Sequence, residues 1–270
     1  MMSRPGRVAG LVVVLGLTAG GCASHPAGSP EPSGAVPATS ASPVDNRAPQ
    51  QIVIAGIPTE KSPIYHYSIK STDVTGNGVI DASDKIAEFT LPPQHFTNPS
   101  YTETTTFLLT RDKSWLKVKD TPASPDGLPR KWMSYDPKKL TYVDGTPEVY
   151  SPESAPRYAV LVFENSDDLS RTSPGHFRGT VSLGRTESGD FLTAAHLKAL
   201  GNKADSVPIT AVLDDQGRLT TTTMQIPPAG KFKADTFVIT YDHYGTAAVP
   251  ELPTAAEQTK APSELYRLFN

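Results

Sequence analysis

Between Val207 and Ile226 the chain carries two strand-length runs joined by one short turn, and this pattern limits the fold more than any other feature. Val207, Ile209, Ala211 and Leu213 take every second position, which puts them on one face of an extended strand. Asp214-Asp215-Gln216-Gly217-Arg218 reads as a turn, and Leu219 to Ile226 runs back. A turn this short forces antiparallel pairing, because parallel neighbours need a crossover of a dozen or more residues. Similar runs recur at Ile64 to Ile69, Ile86 to Leu91, Thr104 to Leu109, Thr236 to Tyr241 and Ala247-Ala248-Val249. Thr75-Gly76-Asn77-Gly78 precedes Val79-Ile80, and its Asn-Gly pair predicts a hairpin turn. Ser114 to Lys119 places Leu116 and Val118 on one face and Trp115, Lys117 and Lys119 on the other.

Two segments read differently. Asp190 to Leu200 predicts a helix that starts on a capping Asp190, carries Lys198 in its last turn and stops at Gly201. Arg157 to Phe163 is an apolar run too short to separate strand from helix by periodicity. The class expected is α+β, an antiparallel sheet with a few helices covering one face.

Cys22 is the single cysteine in the 270 residues. Before it come a basic stretch with Arg4 and Arg7, an apolar stretch from Val8 to Leu17, and the small residues Ala19-Gly20-Gly21. That layout is an export leader with a small-residue processing site. Its apolar part is roughly 10–12 residues, against about 20 for a stable membrane span. The end of the leader resembles a bacterial lipobox, with Ala19 standing where Leu is usual, so Cys22 is expected to be acylated, palmitate being a typical chain. The alternative is an ordinary secretory signal with an incidental cysteine. Either way the body carries no thiol, which excludes disulfides, iron–sulfur centres and cysteine nucleophiles from it.

Ala23 to Gln50 is rich in Pro, Ser, Ala and Gly, with prolines at 26, 30, 32, 37, 43 and 49. It has no hydrophobic period and reads as an extended tether, reaching about 3 Å per residue where it is polyproline-like. The expected organisation is a leader at 1–21, the acylated Cys22 and linker at 22–51, one folded domain at 52–254 and a tail at 255–270. About 200 residues is enough for one domain with a sizeable core. Removing the leader takes Arg4 and Arg7 away and leaves 23 basic against 28 acidic residues, a net charge near −5. That balance argues against a nucleic-acid partner, and no basic cluster marks a surface for anionic lipid.

A resemblance accompanies these patterns. Phe177-Arg178-Gly179-Thr180-Val181-Ser182-Leu183, then Val207 to Leu219, then Phe237-Val238-Ile239-Thr240-Tyr241-Asp242-His243-Tyr244-Gly245 and Val249-Pro250 follow in an order that resembles the actinobacterial lipoproteins related to the mycobacterial glycolipid carriers (LppX/LprG-like), of the LolA/LolB-like fold. The Gly78 segment, the Trp115 strand and Lys131-Trp132 fall where that pattern places them, so the resemblance covers most of residues 60–253. It implies a curved antiparallel half-barrel with helices over its concave face and a hydrophobic ligand between the two. Acyl chains are stabilised in such a dry space by about 0.8 kcal/mol per buried methylene. On that basis Leu108, Leu116, Val118, Leu161, Phe163, Leu197, Ile209 and Phe237 are expected to line the ligand cavity. The chain departs from the pattern near Pro156 to Leu169, where a long covering helix would lie. That stretch is short, β-branched and interrupted by Asn165-Ser166-Asp167-Asp168, which predicts a smaller cavity or none.

Other motifs carry less. Asp73 to Asp84 has oxygen-bearing side chains at Asp73, Thr75, Asn77, Asp81 and Asp84, with Gly78 and Ile80 at the positions a calcium loop requires. The competing reading is a plain hairpin, since the segment before it reads as strand. Ser114-Trp115-Leu116-Lys117 matches a Ser-x-x-Lys acyl-enzyme motif, but a strand puts those two side chains on opposite faces. The histidines at 25, 66, 95, 176, 196 and 243 show no metal-binding spacing. Asp242-His243 suggests an acid–base pair only if adjacent residues share a face, which a strand forbids. Trp115 and Trp132 read as core or rim residues.

The function expected is that of a membrane-anchored extracytoplasmic lipoprotein that binds or carries a lipid or lipid-linked molecule, with no cofactor, no metal and no catalytic residue. The alternative is a ligand-free interaction or sensor module of the cell envelope with a protein partner.

Overall fold

The computed structural model describes residues 46–72, 75–97, 100–122, 128–139, 155–186 and 192–268. The expected leader, Cys22 and most of the expected linker lie outside the described residues. Among them the strands form one 13-stranded sheet, curved and unclosed. The first meander comprises β1 (Tyr65–Lys70), β2 (Thr75–Asp81), β3 (Ile86–Thr90), β4 (Gln94–Thr97), β5 (Ser100–Leu109), β6 (Ser114–Thr121) and β7 (Trp132–Tyr135). The second comprises β8 (Ser166–Ser173), β9 (His176–Val181), β10 (Val207–Leu213), β11 (Leu219–Ile226) and β12 (Asp235–Asp242). The two halves join through β1 and β12, with Tyr67 opposite Tyr241 and His66 opposite Asp242. Every pairing is antiparallel except that of β13 (Gln258–Lys260), which lies parallel to β7 at the far edge. The class is α+β, as the alternation predicts.

The hairpin between β10 and β11 has the bounds read from the sequence. Its turn is organised by Asp214, whose Oδ1 accepts from the amides of Gln216 and Arg218 at 2.9 Å each. Oδ2 accepts from Arg218 Nε at 2.7 Å, and Gly217 supplies the left-handed backbone at φ 77°. Burial pushes the Asp214 carboxyl up, but the hydrogen bonds from Arg218 and Gln216 outweigh it and hold the group below its ordinary value of 3.8. A depressed folded-state value means that this contribution is present above about pH 3.8 and is lost as pH falls through the folded value. Asp214→Asn is expected to cost about 0.5–1 kcal/mol in urea unfolding at pH 7. The gap between the variant and the parent should narrow as the pH is lowered through that range.

The Asn77-Gly78 segment is not a turn. It lies inside β2, where Gly78 sits between Tyr67 of β1 and Phe89 of β3. The rings of Tyr67 and Phe89 stack with centroids 5.8 Å apart. A Cβ on Gly78 would come within 2.1 Å of the Glu88 carbonyl oxygen, and one on Gly76 within 2.0 Å of the Phe89 ring. Gly76 leaves room for the Phe89 ring, and Gly78 for the close approach of the Glu88 carbonyl and the Tyr67 ring. The same strand sets where the calcium-loop candidates stand. Thr75, Asn77 and Asp81 are spread along an extended strand of about 20 Å, so their oxygens do not converge. Asp81 Oδ1 instead accepts from Ser83 Oγ at 2.6 Å and from the Asp84 amide at 3.2 Å. Asp73 lies outside the described residues.

The ambiguous run becomes helix α2 (Ala155–Glu164), and α1 (Pro49–Gly56) packs beside it. The first helix therefore begins inside the stretch expected as linker. α2 ends where the side chains of Asn165 and Ser166 cap its carbonyls, Asn165 Nδ2 donating to Leu161 O and Ser166 Oγ to Phe163 O. The chain enters β8 at once, so Asn165 to Asp168 is a helix end and not an interruption. In α3 (Ala194–Leu200) the cap is Thr193, whose hydroxyl accepts from the His196 amide at 3.2 Å. Asp190 lies outside the described residues, while Gly201 ends the helix with φ 52° as predicted. Residues 247–249 form no strand.

Beyond β12 the chain crosses the sheet face that carries Trp115. The Gly245 amide donates to Ile64 O at 2.7 Å at one end of this strap. At the other, Trp115 Nε1 donates to Gln258 Oε1 at 2.9 Å. The stretch expected as a tail then supplies β13 and α4 (Ser263–Leu268), and Leu265 is fully buried in the core. No helix among the described residues is long and apolar enough to cross a membrane.

Candidate functional site

The expected ligand cavity can be placed strand by strand. Leu116 lies opposite Phe107, and Leu108 lies opposite Trp115. Leu116 and Val118 therefore face the core, whereas Leu108 lies on the other face with Trp115, away from any space under the helices. Ile209 and Phe237 flank Met224 in one inward row across β10, β11 and β12. α2 reaches this region through Tyr158, whose ring lies 6.3 Å from that of Phe237, and Phe163 of the same helix is buried in the core. Leu161 of α2 and Leu197 of α3 are only partly buried and lie against the margin of the core. The structure thus separates the predicted set. Leu116 and Val118 sit on β6, five strand spacings from β12, about 24 Å along the sheet.

The inward positions are also filled. Leu116, Phe163 and Phe237 are 0 % exposed, Ile209 is 1 % and Val118 is 4 %. A side chain lining a space large enough for water would keep accessible surface toward it. Tyr65, Tyr67 and Tyr241 are buried with them, and burial pushes the phenols of Tyr65 and Tyr241 upward. At these positions the concave face is a packed core.

A second cluster lies on the opposite face. His66 of β1 and Asp242 of β12 are directly opposed, and His66 Nδ1 is 2.7 Å from Asp242 Oδ1. His243 Nδ1 is 2.8 Å from the same oxygen. Alternation would send His243 away from Asp242, but β12 has ended and His243 takes the left-handed backbone at φ 52°. That turn swings its ring back over Asp242, and the two imidazoles meet edge to face at 6.0 Å. The expectation that Asp242 and His243 point apart is corrected by this one dihedral. The turn is pinned at both sides: the Gly245 amide bonds Ile64 O, and Tyr244 Oη donates to Leu219 O at 2.7 Å. Arg218 lies over the Tyr244 ring at 4.5 Å. Burial pushes the Asp242 carboxyl up, but its hydrogen bonds from His243 and His66 outweigh this and hold it below the ordinary carboxylate range. Sequence spacing could not reveal the trio, because His66 and Asp242 are 176 residues apart. The pairing of β1 with β12 was the missing signal.

A groove on the same side of the sheet as Trp115 is lined by Lys85, Ile86, Lys113, Trp115 and Leu252, with a volume of about 470 Å³. Asp84 and Asp112 line it as well, beside Lys85, Arg111 and Lys113, and these mixed charges select no ligand class.

No protein-family model matches this chain, and no curated protein matches it. Among solved structures it is similar to the LolA superfamily protein NE2245 from Nitrosomonas europaea, at 8 % identity and a TM-score of 0.25, covering 75 % of this chain and 93 % of that one. The half-barrel is read from the sheet's own pairing, and a likeness of this size adds no site residue to it.

Proposed function

We propose that this chain is a membrane-anchored extracytoplasmic lipoprotein that takes up a hydrophobic ligand, a lipid or lipid-linked molecule, between its sheet and helices. What carries the reading is the combination of an unclosed curved sheet, apolar on its concave face, with a cover of short helices. α1 and α2 are 8 and 10 residues long, and helices this short hold their place by packing and not by their own stability. Ahead of them stand the leader, Cys22 and the Pro-rich tether. The filled interior makes the described form a closed one, so uptake requires α1 and α2 to lift from β10 to β12.

Native mass spectrometry of the protein from its own membrane, beside a delipidated control, should show an adduct of lipid mass that delipidation removes. Hydrogen exchange in α2 should slow when lipid is added back. No adduct, together with unchanged exchange, would sink the carrier reading. That outcome would favour the second reading, a ligand-free interaction module, to which the fully buried Leu116, Phe163 and Phe237 already point.

A further inference from the structure

We propose that His66, Asp242 and His243 form a binding site for one divalent transition-metal ion of the zinc type, on the sheet face opposite the core. Each of the three offers one ligand atom, and these atoms all lie within 4.8 Å of one another. Two imidazole nitrogens and one carboxylate oxygen are donors that suit zinc and its neighbours, and do not suit calcium or magnesium, which take oxygen ligands.

The geometry is close to what an ion needs. Zinc bonds nitrogen and carboxylate oxygen at about 2.0–2.2 Å, so donors around a tetrahedral centre stand about 3.4 Å apart. In the structure both Nδ1 atoms are 2.7–2.8 Å from Asp242 Oδ1, which is hydrogen-bond length. With the carboxylate backed off by about 0.6 Å and each imidazole carrying its proton on Nε2, one ion bonded to both Nδ1 atoms and to Asp242 Oδ1 takes the place of the two hydrogen bonds. Solvent reaches the site, the side chains being 32 %, 43 % and 65 % exposed for His66, Asp242 and His243. Water can therefore complete the coordination.

The site is built before any ion arrives. His66 and Asp242 are held in register by the β1–β12 ladder. His243 is held by a left-handed turn anchored to Ile64 and, through Tyr244, to Leu219. Non-glycine residues seldom adopt that backbone, and such a conformation persists only where its surroundings impose it. The backbone that presents the three donors is thus fixed without the ion, which lowers the ordering cost of binding. The inference does not rest on the lipid reading, since the residues are on the other side of the sheet from the ligand space.

The test is titration of the purified full chain, stripped with EDTA, with ZnCl2 by calorimetry, and with CoCl2 followed by visible absorption. CaCl2 is the hard-ion control. The parent should bind one Zn²⁺ per chain in a saturable step, give a Co²⁺ spectrum of nitrogen–oxygen ligation, and ignore Ca²⁺. His66→Gln and His243→Asn, the latter chosen because Asn tolerates the left-handed backbone, should each weaken Zn²⁺ binding at least about tenfold. Melting without metal shows that the variants are folded, and only the parent should gain melting temperature on adding Zn²⁺. Absence of saturable binding, or undiminished binding by both folded variants, overturns the proposal.

Discussion

Truncating Phe237 to Ala is expected to lower the unfolding free energy by about 3–5 kcal/mol. The ring is fully buried, stands beside Met224 in the ladder and lies under Tyr158 of α2. Removing it leaves a hole that the surrounding strands cannot fill, because their positions are fixed by pairing on both sides. The measurement is a denaturant midpoint at constant slope. The result also bears on function. A loss below about 1.5 kcal/mol would mean that the ring borders empty space, so that the closed interior described for this region is wrong. If the hole is made and the carrier reading holds, added lipid should raise the melting temperature of Phe237→Ala more than that of the parent, since the variant offers ligand space without moving the helices.

Replacing Cys22 by Ser is expected to move the protein from the membrane fraction to the soluble extracytoplasmic fraction almost completely. The thiol is the single acylation point the chain offers, and stable anchoring takes more than one acyl chain or a second signal. The sequence holds no polybasic run to supply that second signal, and no helix among the described residues is long and apolar enough to cross a bilayer. Metabolic labelling with a palmitate analogue should mark the parent and not Cys22→Ser. Equal membrane partition of the two proteins would remove the anchor from the proposal and leave the ligand reading to stand by itself.

Much of the sheet was legible because burial on one face imposes a period of two. Val207–Leu213 and Leu219–Ile226 were found at their true bounds, each alternating against the core. β8 was not found, and its residues explain why. Ser166 to Ser173 is an edge strand exposed along nearly its whole length, so no apolar alternation marks it. Asn77-Gly78 misled in the opposite direction. A glycine that frees backbone for a turn cannot be told, in one dimension, from a glycine that makes room for the Tyr67 and Phe89 rings. The proposed cavity set mixed two faces at Leu108 because the run Phe107-Leu108-Leu109 is apolar at every position, and only the register against Trp115 and Leu116 separates them. The histidine site was invisible for a topological reason: nothing before the structure paired the first strand with the twelfth.

The parallel pairing of β13 with β7 sets an order of events for a chain delivered from its N-terminus. By the time Tyr135 has emerged, the first meander can assemble, but its outer edge at Trp132 to Ser134 has no neighbour until Gln258 to Lys260 arrive. An open strand edge is a template for pairing with other chains. Until β13 pairs, that flank of the meander is an open strand edge. Pairing with β13 covers the β7 edge and leaves a border strand of only three residues, too short to template much further pairing.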